Sequence, residues 1–247
     1  MVPAHSEAEP IAGRDHLAPD VFPGRSGQLA RKGTCLMGDA GAAVRRHAPE
    51  ARRGRTPSAN VERELVSAAE IVLVRDGPGG LTVRAVAAEA SIAPMGVYSR
   101  LGGKDGLINA LLIRGFDRLR AAIEAGDEPD MLNRLRSCGQ RYRQFALANP
   151  HLYAIMFEEA RESRSDEVRE HAAAALGALV RGVELAAAAG RIEAPDATEA
   201  AHQVWSAAHG AVALELKGLV LTPDPAATYT AFLETLMHGL APRRHGD

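Results

Sequence analysis

The chain has 247 residues, 46% of them hydrophobic, 24% charged and 4% aromatic, and a formal net charge of −2. Such an apolar fraction supports a real core and excludes wholesale disorder, and the near-neutral balance means that any grip on nucleic acid must come from a local patch. No run of about 18 apolar residues is present to cross a bilayer, and the opening MVPAHSEAEP lacks the basic-then-apolar pattern of a secretion signal. The expected setting is therefore cytoplasmic, without a membrane partner. Two cysteines, Cys35 and Cys138, cannot make a disulfide framework or a cysteine-rich zinc site, and read as unrelated thiols.

Residues 1–56 read as a disordered, basic N-terminal extension. Residues 1–60 hold seven Gly, six Pro and a single aromatic, Phe22, with no apolar period, so they bury too little surface to offset ordering entropy. Arg45, Arg46, Arg52, Arg53 and Arg55 face one acid, Glu50. Such an arm could track a phosphate backbone or an adjacent minor groove; the alternative is a solvated tail. Met37 is a second possible start.

From residue 61 the spacing turns helical. Val61, Leu65, Ala68/Ala69 and Val72 form one stripe, which stops at Asp76-Gly77-Pro78-Gly79-Gly80. Thr82 stands where an N-cap belongs, and Val83, Val86, Ala87 and Ala90 make a short second stripe. A third short helix is predicted from Pro94 to Leu101, with Pro suited to the first turn, and Gly102-Gly103 ends it. Longer helices follow at about 104–125, 130–148, 165–189, 197–219 and 226–239. They are separated by Gly126–Pro129, Asn149-Pro150, Gly190–Pro195 and Thr222–Pro225. No strand pattern emerges, so the fold class is all-α.

Three short helices within some 40 residues, the last two joined by a tight turn, suggest a helix-turn-helix. Val72, Val83, Val86, Ile92, Val97 and Leu101 supply its core, leaving Pro94, Met95, Gly96, Ser99 and Arg100 on the exposed side of the third helix. Tyr98 and Lys104 flank that helix and could donate to phosphates. The head carries five basic residues against six acids between 61 and 108, so its basic groups must converge on one face.

The stretch LTVRAVAAEASIAPMGVYSRLGGKDGL, Leu81 to Leu107, resembles the DNA-binding domain of TetR-family transcriptional regulators. That family shows LT-x-x-x-I-A-x-x-A-G-V-S-x-x-x-x-Y-x-H-F-x-x-K-x-x-L. Leu81, Thr82, Ala87, Ala90, Tyr98, Lys104 and Leu107 match as they stand. Ser91 replaces the turn glycine, Ala93 the capping serine, and Arg100-Leu101 the His-Phe pair. The resemblance implies DNA contacts from Thr82, Arg84, Pro94, Met95, Gly96, Tyr98, Ser99, Arg100 and Lys104. Arg100 adds a bidentate donor suited to guanine or phosphate.

A second resemblance lies downstream. Asn149-Pro150-His151-Leu152-Tyr153 with Met156-Phe157, then Trp205-Ser206-Ala207-Ala208-His209-Gly210, is similar to the C-terminal domain of the TetR subgroup named for its Trp…His-Gly motif. It implies an all-helical homodimer with an effector pocket in each C-terminal domain. Phe116, Tyr142, Phe145, Tyr153, Met156, Phe157, Trp205 and His209 are the candidate pocket residues for an unknown small-molecule effector; the competing reading makes them core. His202 and His209 stand seven apart without a carboxylate or cysteine partner, which argues against metal, and no cofactor is expected.

No G-x-S-x-G, phosphate-cradling loop or H-E-x-x-H is present, so no enzyme is expected. Glu158-Glu159 and Glu162 read as a solvated face. Val204/Trp205, Ala208, Val212 and Leu216 form one stripe, and Phe232, Leu233, Leu236, Met237 and Leu240 another. Both are read as a dimer interface in an antiparallel four-helix bundle; the alternative is a purely internal core.

The domain reading is a disordered extension at 1–56, a helix-turn-helix head at 57–103, a helical effector and dimerisation domain at 104–240, and a tail at 241–247. The function reading is a ligand-responsive repressor that binds a palindromic site in double-stranded DNA as a homodimer. Two alternatives stay open: a constitutive DNA-binding protein without effector, and a helical partner-binding or enzymatic module with a vestigial head.

Overall fold

The computed structural model describes residues 58–157 and 164–242. The basic arm, Cys35, Met37, the Glu158-Glu159 and Glu162 acids and residues 243–247 of the tail lie outside the described residues. Among those described, every regular element is a helix: α1 (Ser58–Gly80), α2 (Val83–Glu89), α3 (Pro94–Leu101), α4 (Lys104–Glu124), α5 (Met131–Ala148), α6 (Pro150–Phe157), α7 (Asp166–Ala188), α8 (Ala197–Leu216) and α9 (Pro225–Gly239).

Local chemistry sets these boundaries. Five helices begin on a side-chain cap. Thr82, Asp130, Ser165, Asp196 and Asp224 each accept a bond from the backbone N–H three residues on, which satisfies a donor the helix itself leaves orphaned. The run assigned to α1 is broken at Gly77, which takes φ 69° and ψ −177°, so the predicted stop falls where the glycine permits a left-handed turn. Gly102 caps α3 in the left-handed αL conformation, φ 74° and ψ 15°, sharing with Gly77 only the positive φ.

The sequence reading missed one helix. Asn149-Pro150 was expected to be a break, yet Pro150 opens α6, where its missing N–H costs nothing. The segment PHLYAIMF is apolar nearly all round, with Leu152, Tyr153, Ile155 and Met156 buried. A short helix apolar on most of its faces carries little amphipathic period to detect.

One apolar core runs from the head into the body. Val72, Val86 and Val97 are fully buried under α1–α3, with Ile92 and Leu101 packed at the edge. The same cluster continues through Leu107, Leu111 and Phe116 of α4, then Met156, Val212 and Leu233. A second cluster joins α5, α7, α8 and α9 through Leu135, Val183, Val204 and Met237. Helix α7 has the length and apolarity of a weak membrane-span candidate. Here it packs against α4, α5 and α8 instead.

The stripes expected to face a second subunit turn inward. Val204, Ala208, Val212, Leu233 and Met237 are buried within the chain itself, and Trp205, Leu216, Phe232, Leu236 and Leu240 pack partly buried against the two clusters. Packing of α8 and α9 onto α5 and α7 consumes those faces.

Candidate functional site

The head is stapled from both sides. Arg75 near the end of α1 bridges to Glu89 at the end of α2 at 2.8 Å and pairs with Asp76 at 2.9 Å. Its hydrogen bond holds the Asp76 carboxyl below the usual carboxylate range. Thr82 Oγ1 accepts from Ala85 N at 3.1 Å. Between α2 and α3, Ser91 adopts φ 54°, the left-handed turn where glycine is at ease. Ala93 precedes α3 without a capping side chain.

These constraints orient α3. Val97 is locked into the core while Pro94, Met95, Tyr98, Ser99 and Arg100 are exposed. Met95 is 73% exposed and Tyr98 56%, which rules out a core role for the phenol. The Tyr98 ring leans over Gly103, where a Cβ would come within 3.0 Å of Cε1. Gly103, at φ 98°, thus leaves room for the ring beside Lys104. Arg84 on α2 and Lys104 on α4 are exposed, and neither makes a salt bridge among the described residues. Ser99 Oγ donates back to the Gly96 carbonyl at 3.1 Å. Gly96 is placed differently from its neighbours: a Cβ there would come within 2.6 Å of Ile92 Cγ2, so its bare Cα serves packing inside the head. The resulting surface offers a thioether, a phenol, a guanidinium and an ammonium around one short helix, groups able to meet base edges and phosphate oxygens.

The body holds a partly open cavity of about 400 Å³ between α4, α5, α7, α8, α9 and the end of α6, within the range usual for small-molecule sites. Phe116, Tyr142, Phe157 and Trp205 stand on its wall. Phe145, Tyr153, Met156 and His209 do not, which corrects their expected placement. Phe145 and Met156 are spent on the core. Tyr153 and His209 form a polar knot behind the wall: Tyr142 Oη lies 2.8 Å from Tyr153 Oη, which lies 2.7 Å from His209 Nδ1. Tyr142 Oη also lies 3.1 Å from His209 Nδ1, so the three polar atoms form a closed triangle. The His209 ring stacks on Tyr153 with centroids 5.5 Å apart. Burial raises the Tyr142 phenol above its usual value, against weaker opposing bonds to Tyr153 and Trp205.

Other wall residues escaped the sequence reading. Cys138 sits there with its thiol pushed up to about 11 by burial, against a smaller downward pull from Arg141. Arg164, Arg169 and His202 also reach the wall. A guanidinium near a helix start gives no sign in sequence of which way it turns. No group of three metal-ligating side chains occurs among the described residues.

A capped three-helix head presenting one short helix outward, on a helical body holding an apolar cavity, defines a helix-turn-helix regulator. Comparison with known proteins then gives the family. Residues 65–111 match the model for bacterial regulatory proteins of the tetR family, and residues 135–236 match the tetracyclin repressor-like C-terminal domain. An uncharacterized HTH-type transcriptional regulator of Mycobacterium tuberculosis is 28% identical over 200 residues, 76% of this chain and 86% of that protein. A protein of unknown function from Rhodococcus sp. RHA1 superposes with a TM-score of 0.69 at 30% identity, over 78% of this chain and 100% of that one. A bacterial regulatory protein in the tetR family from Rhodococcus RHA1 gives 0.58 at 24% identity, over 74% and 98%.

The chain belongs to the TetR family and is a DNA-binding transcription regulator.

Proposed function

We propose that this regulator is a cytoplasmic repressor, with a C-terminal domain of the Trp-His-Gly subgroup. It binds a palindromic operator as a homodimer and is released when a small molecule enters the body. The observation that carries this reading is the pairing of an exposed α3 with an apolar cavity on the same helical frame. α4 packs against α1 and α3 of the head and puts Phe116, Leu119 and Ile123 on the cavity wall. A ligand that fits one setting of α4 better than another shifts the spacing of the two heads, and it can do so only by as much as its affinities for the two settings differ.

Thr82, Arg84, Tyr98 and Lys104 hold phosphates in this reading, while Met95, Ser99 and Arg100 approach bases. The second copy packs on outward rows of α8 and α9. Ser206, Gly210 and Leu214 lie four residues apart on α8, and Ala227 and Ala231 on α9, all exposed. Ser206, Gly210, Ala227 and Ala231 are small enough to allow close helix approach, and the exposed Leu214 adds apolar surface. A dimer sets its two α3 helices about 34–36 Å apart, one turn of duplex.

The test is selection of bound sequences from random duplexes at stated salt, with the oligomeric state measured in parallel. A palindrome with half-sites one helical turn apart and a two-to-one complex supports the reading. A monomer on an asymmetric site, or no selected sequence, refutes it.

A further inference from the structure

The polar side chains on the wall of the larger cavity are engaged within the chain, uncharged, or exposed at its edge. Tyr142 stands on the wall, but its Oη closes the triangle with Tyr153 and His209, two residues that do not line the cavity. The Trp205 indole bonds to the same phenol. Arg164 Nη2 donates to the Met156 carbonyl at 2.6 Å. Arg169 is exposed, donates to the Arg164 carbonyl at 2.6 Å and pairs with Asp166. His202, also exposed, meets the Trp205 ring edge-on with centroids 5.7 Å apart. Burial pushes the Cys138 thiol up to about 11, so it carries no charge at neutral pH. No carboxylate lies on this wall among the described residues.

The remainder is hydrocarbon and rings. Phe116 and Phe157 meet at 88° with centroids 5.9 Å apart, and Phe157 and Trp205 at 49° and 6.2 Å. All three line the cavity, so part of its wall is a cluster of ring faces and edges set at angles. Such a cluster receives a further ring by edge-to-face or offset contact. A charged group placed there would give up its water without a waiting counter-charge. An anion could gain Arg164 or Arg169 only by drawing them from the partners they hold. A second cavity of about 210 Å³ adjoins at Ile123, Leu135, Cys138 and Leu179. That one is polar: Glu124 and Arg181 pair there at 2.5 Å, and Arg134 reaches its wall but not the wall of the larger cavity.

We infer that the larger cavity binds an uncharged hydrophobic molecule built on aromatic rings, met by Phe116, Phe157 and Trp205. This rests on the reading of the cavity as the effector site.

Four probes test it by calorimetric titration: 2-methylnaphthalene, 2-naphthoate, 2-naphthylmethylammonium and dodecanoate. The first three share a ring system and differ in charge. The fourth is a straight chain whose carboxylate could extend to Arg134 in the adjoining cavity. 2-Methylnaphthalene is expected to bind about tenfold or more tighter than each of the others. Ala175→Phe, which fills the cavity from α7, should weaken that binding about tenfold or more. Ala172→Leu fills it from a half-buried position on the same wall and gives the same reading where the larger change costs the fold. Equal or tighter binding of either naphthalene ion or of dodecanoate overturns the inference; where that probe also lowers affinity for the selected duplex, the effector reading stands. Full affinity for 2-methylnaphthalene in a folded cavity-filling variant overturns the inference as well. Should no probe bind, the inference falls, and if a broad ligand screen also leaves DNA affinity unmoved, the effector reading falls with it.

Discussion

His151, the second residue of α6, rests its imidazole over the bare Cα of Gly77, where a Cβ would come within 3.6 Å of Cε1. Gly77 is the left-handed residue that ends the first helix of the head, and the far end of α6 places Phe157 on the cavity wall. This eight-residue helix is therefore a strut between the cavity and the head. Gly77→Ala should cost about 1 kcal/mol or more through its positive φ alone, read as a lower urea midpoint. His151→Ala should leave operator affinity nearly intact but cut the ligand-induced loss of that affinity by about 1 kcal/mol. Full ligand response in His151→Ala would exclude the strut.

Tyr98 and Lys104 stand side by side across Gly103, both exposed. Lys104→Ala should weaken binding to every sequence alike and reduce the salt slope by about one unit. Tyr98→Phe removes the hydroxyl assigned to a phosphate in the proposed reading and should weaken binding without flattening that slope. Arg100→Ala should instead relax the choice of base at one position, at about 1–3 kcal/mol. Anisotropy titrations at several salt concentrations separate the three.

Two local features of the head leave stability unused. Ser91 holds φ 54° without being glycine, and Ala93 opens α3 without a side-chain acceptor. Ser91→Gly should gain about 0.5–1 kcal/mol, and Ala93→Ser about 1 kcal/mol. The sites flank the same turn, so the double variant tests whether the gains add. Midpoints in urea decide it.

Arg143 and Glu215 join α5 to α8 with contacts of 2.7 and 2.5 Å, at side-chain exposures of only 15% and 13%. The Arg143 guanidinium also lies 5.7 Å from the centre of the Tyr229 ring. Glu215→Ala strands a half-buried cation and should cost about 3 kcal/mol. Replacing both, Arg143→Met with Glu215→Leu, should cost clearly less. A double variant as unstable as the single one would show that packing, not the orphaned charge, sets the penalty.

Cys138 gives a pH-dependent readout. Its thiol is pushed up to about 11 in the folded chain, against about 8.5 when unfolded. The folded value is raised, so this group favours folding fully below the unfolded value and loses that contribution as pH climbs toward 11. In a Cys35→Ser background, alkylation at pH 8 should run roughly a hundredfold slower than in urea and rise about tenfold per pH unit. A rate near that of a free thiol would contradict the burial.

Much of the head was legible in sequence because its signals are local. Thr82 as a cap, Gly77 as a stop and Pro94 in a first turn depend on neighbours a few residues away. α6 was not legible, because PHLYAIMF is apolar on all faces and its Pro resembles a terminator as much as a starter. The stripes of α8 and α9 were found, but a stripe does not say what covers it; Val212 and Leu233 pack inside the chain rather than against a copy. Among the aromatics, sequence could not tell Tyr142 on the wall from Tyr153 behind it. The Tyr153–His209 contact brings together residues 56 positions apart, a distance over which no local pattern operates.

The unbroken core beneath head and body has a practical consequence for anyone building hybrid sensors. Leu107, Leu111 and Leu112 of α4 belong to the same packed cluster as Val72, Val86 and Val97. A recognition module excised at residue 103 would therefore tear that seam and expose leucines on both halves. Transplants that carry the first turns of α4, together with the His151 end of α6, keep the joint closed and retain the lever that a swapped reading head would need.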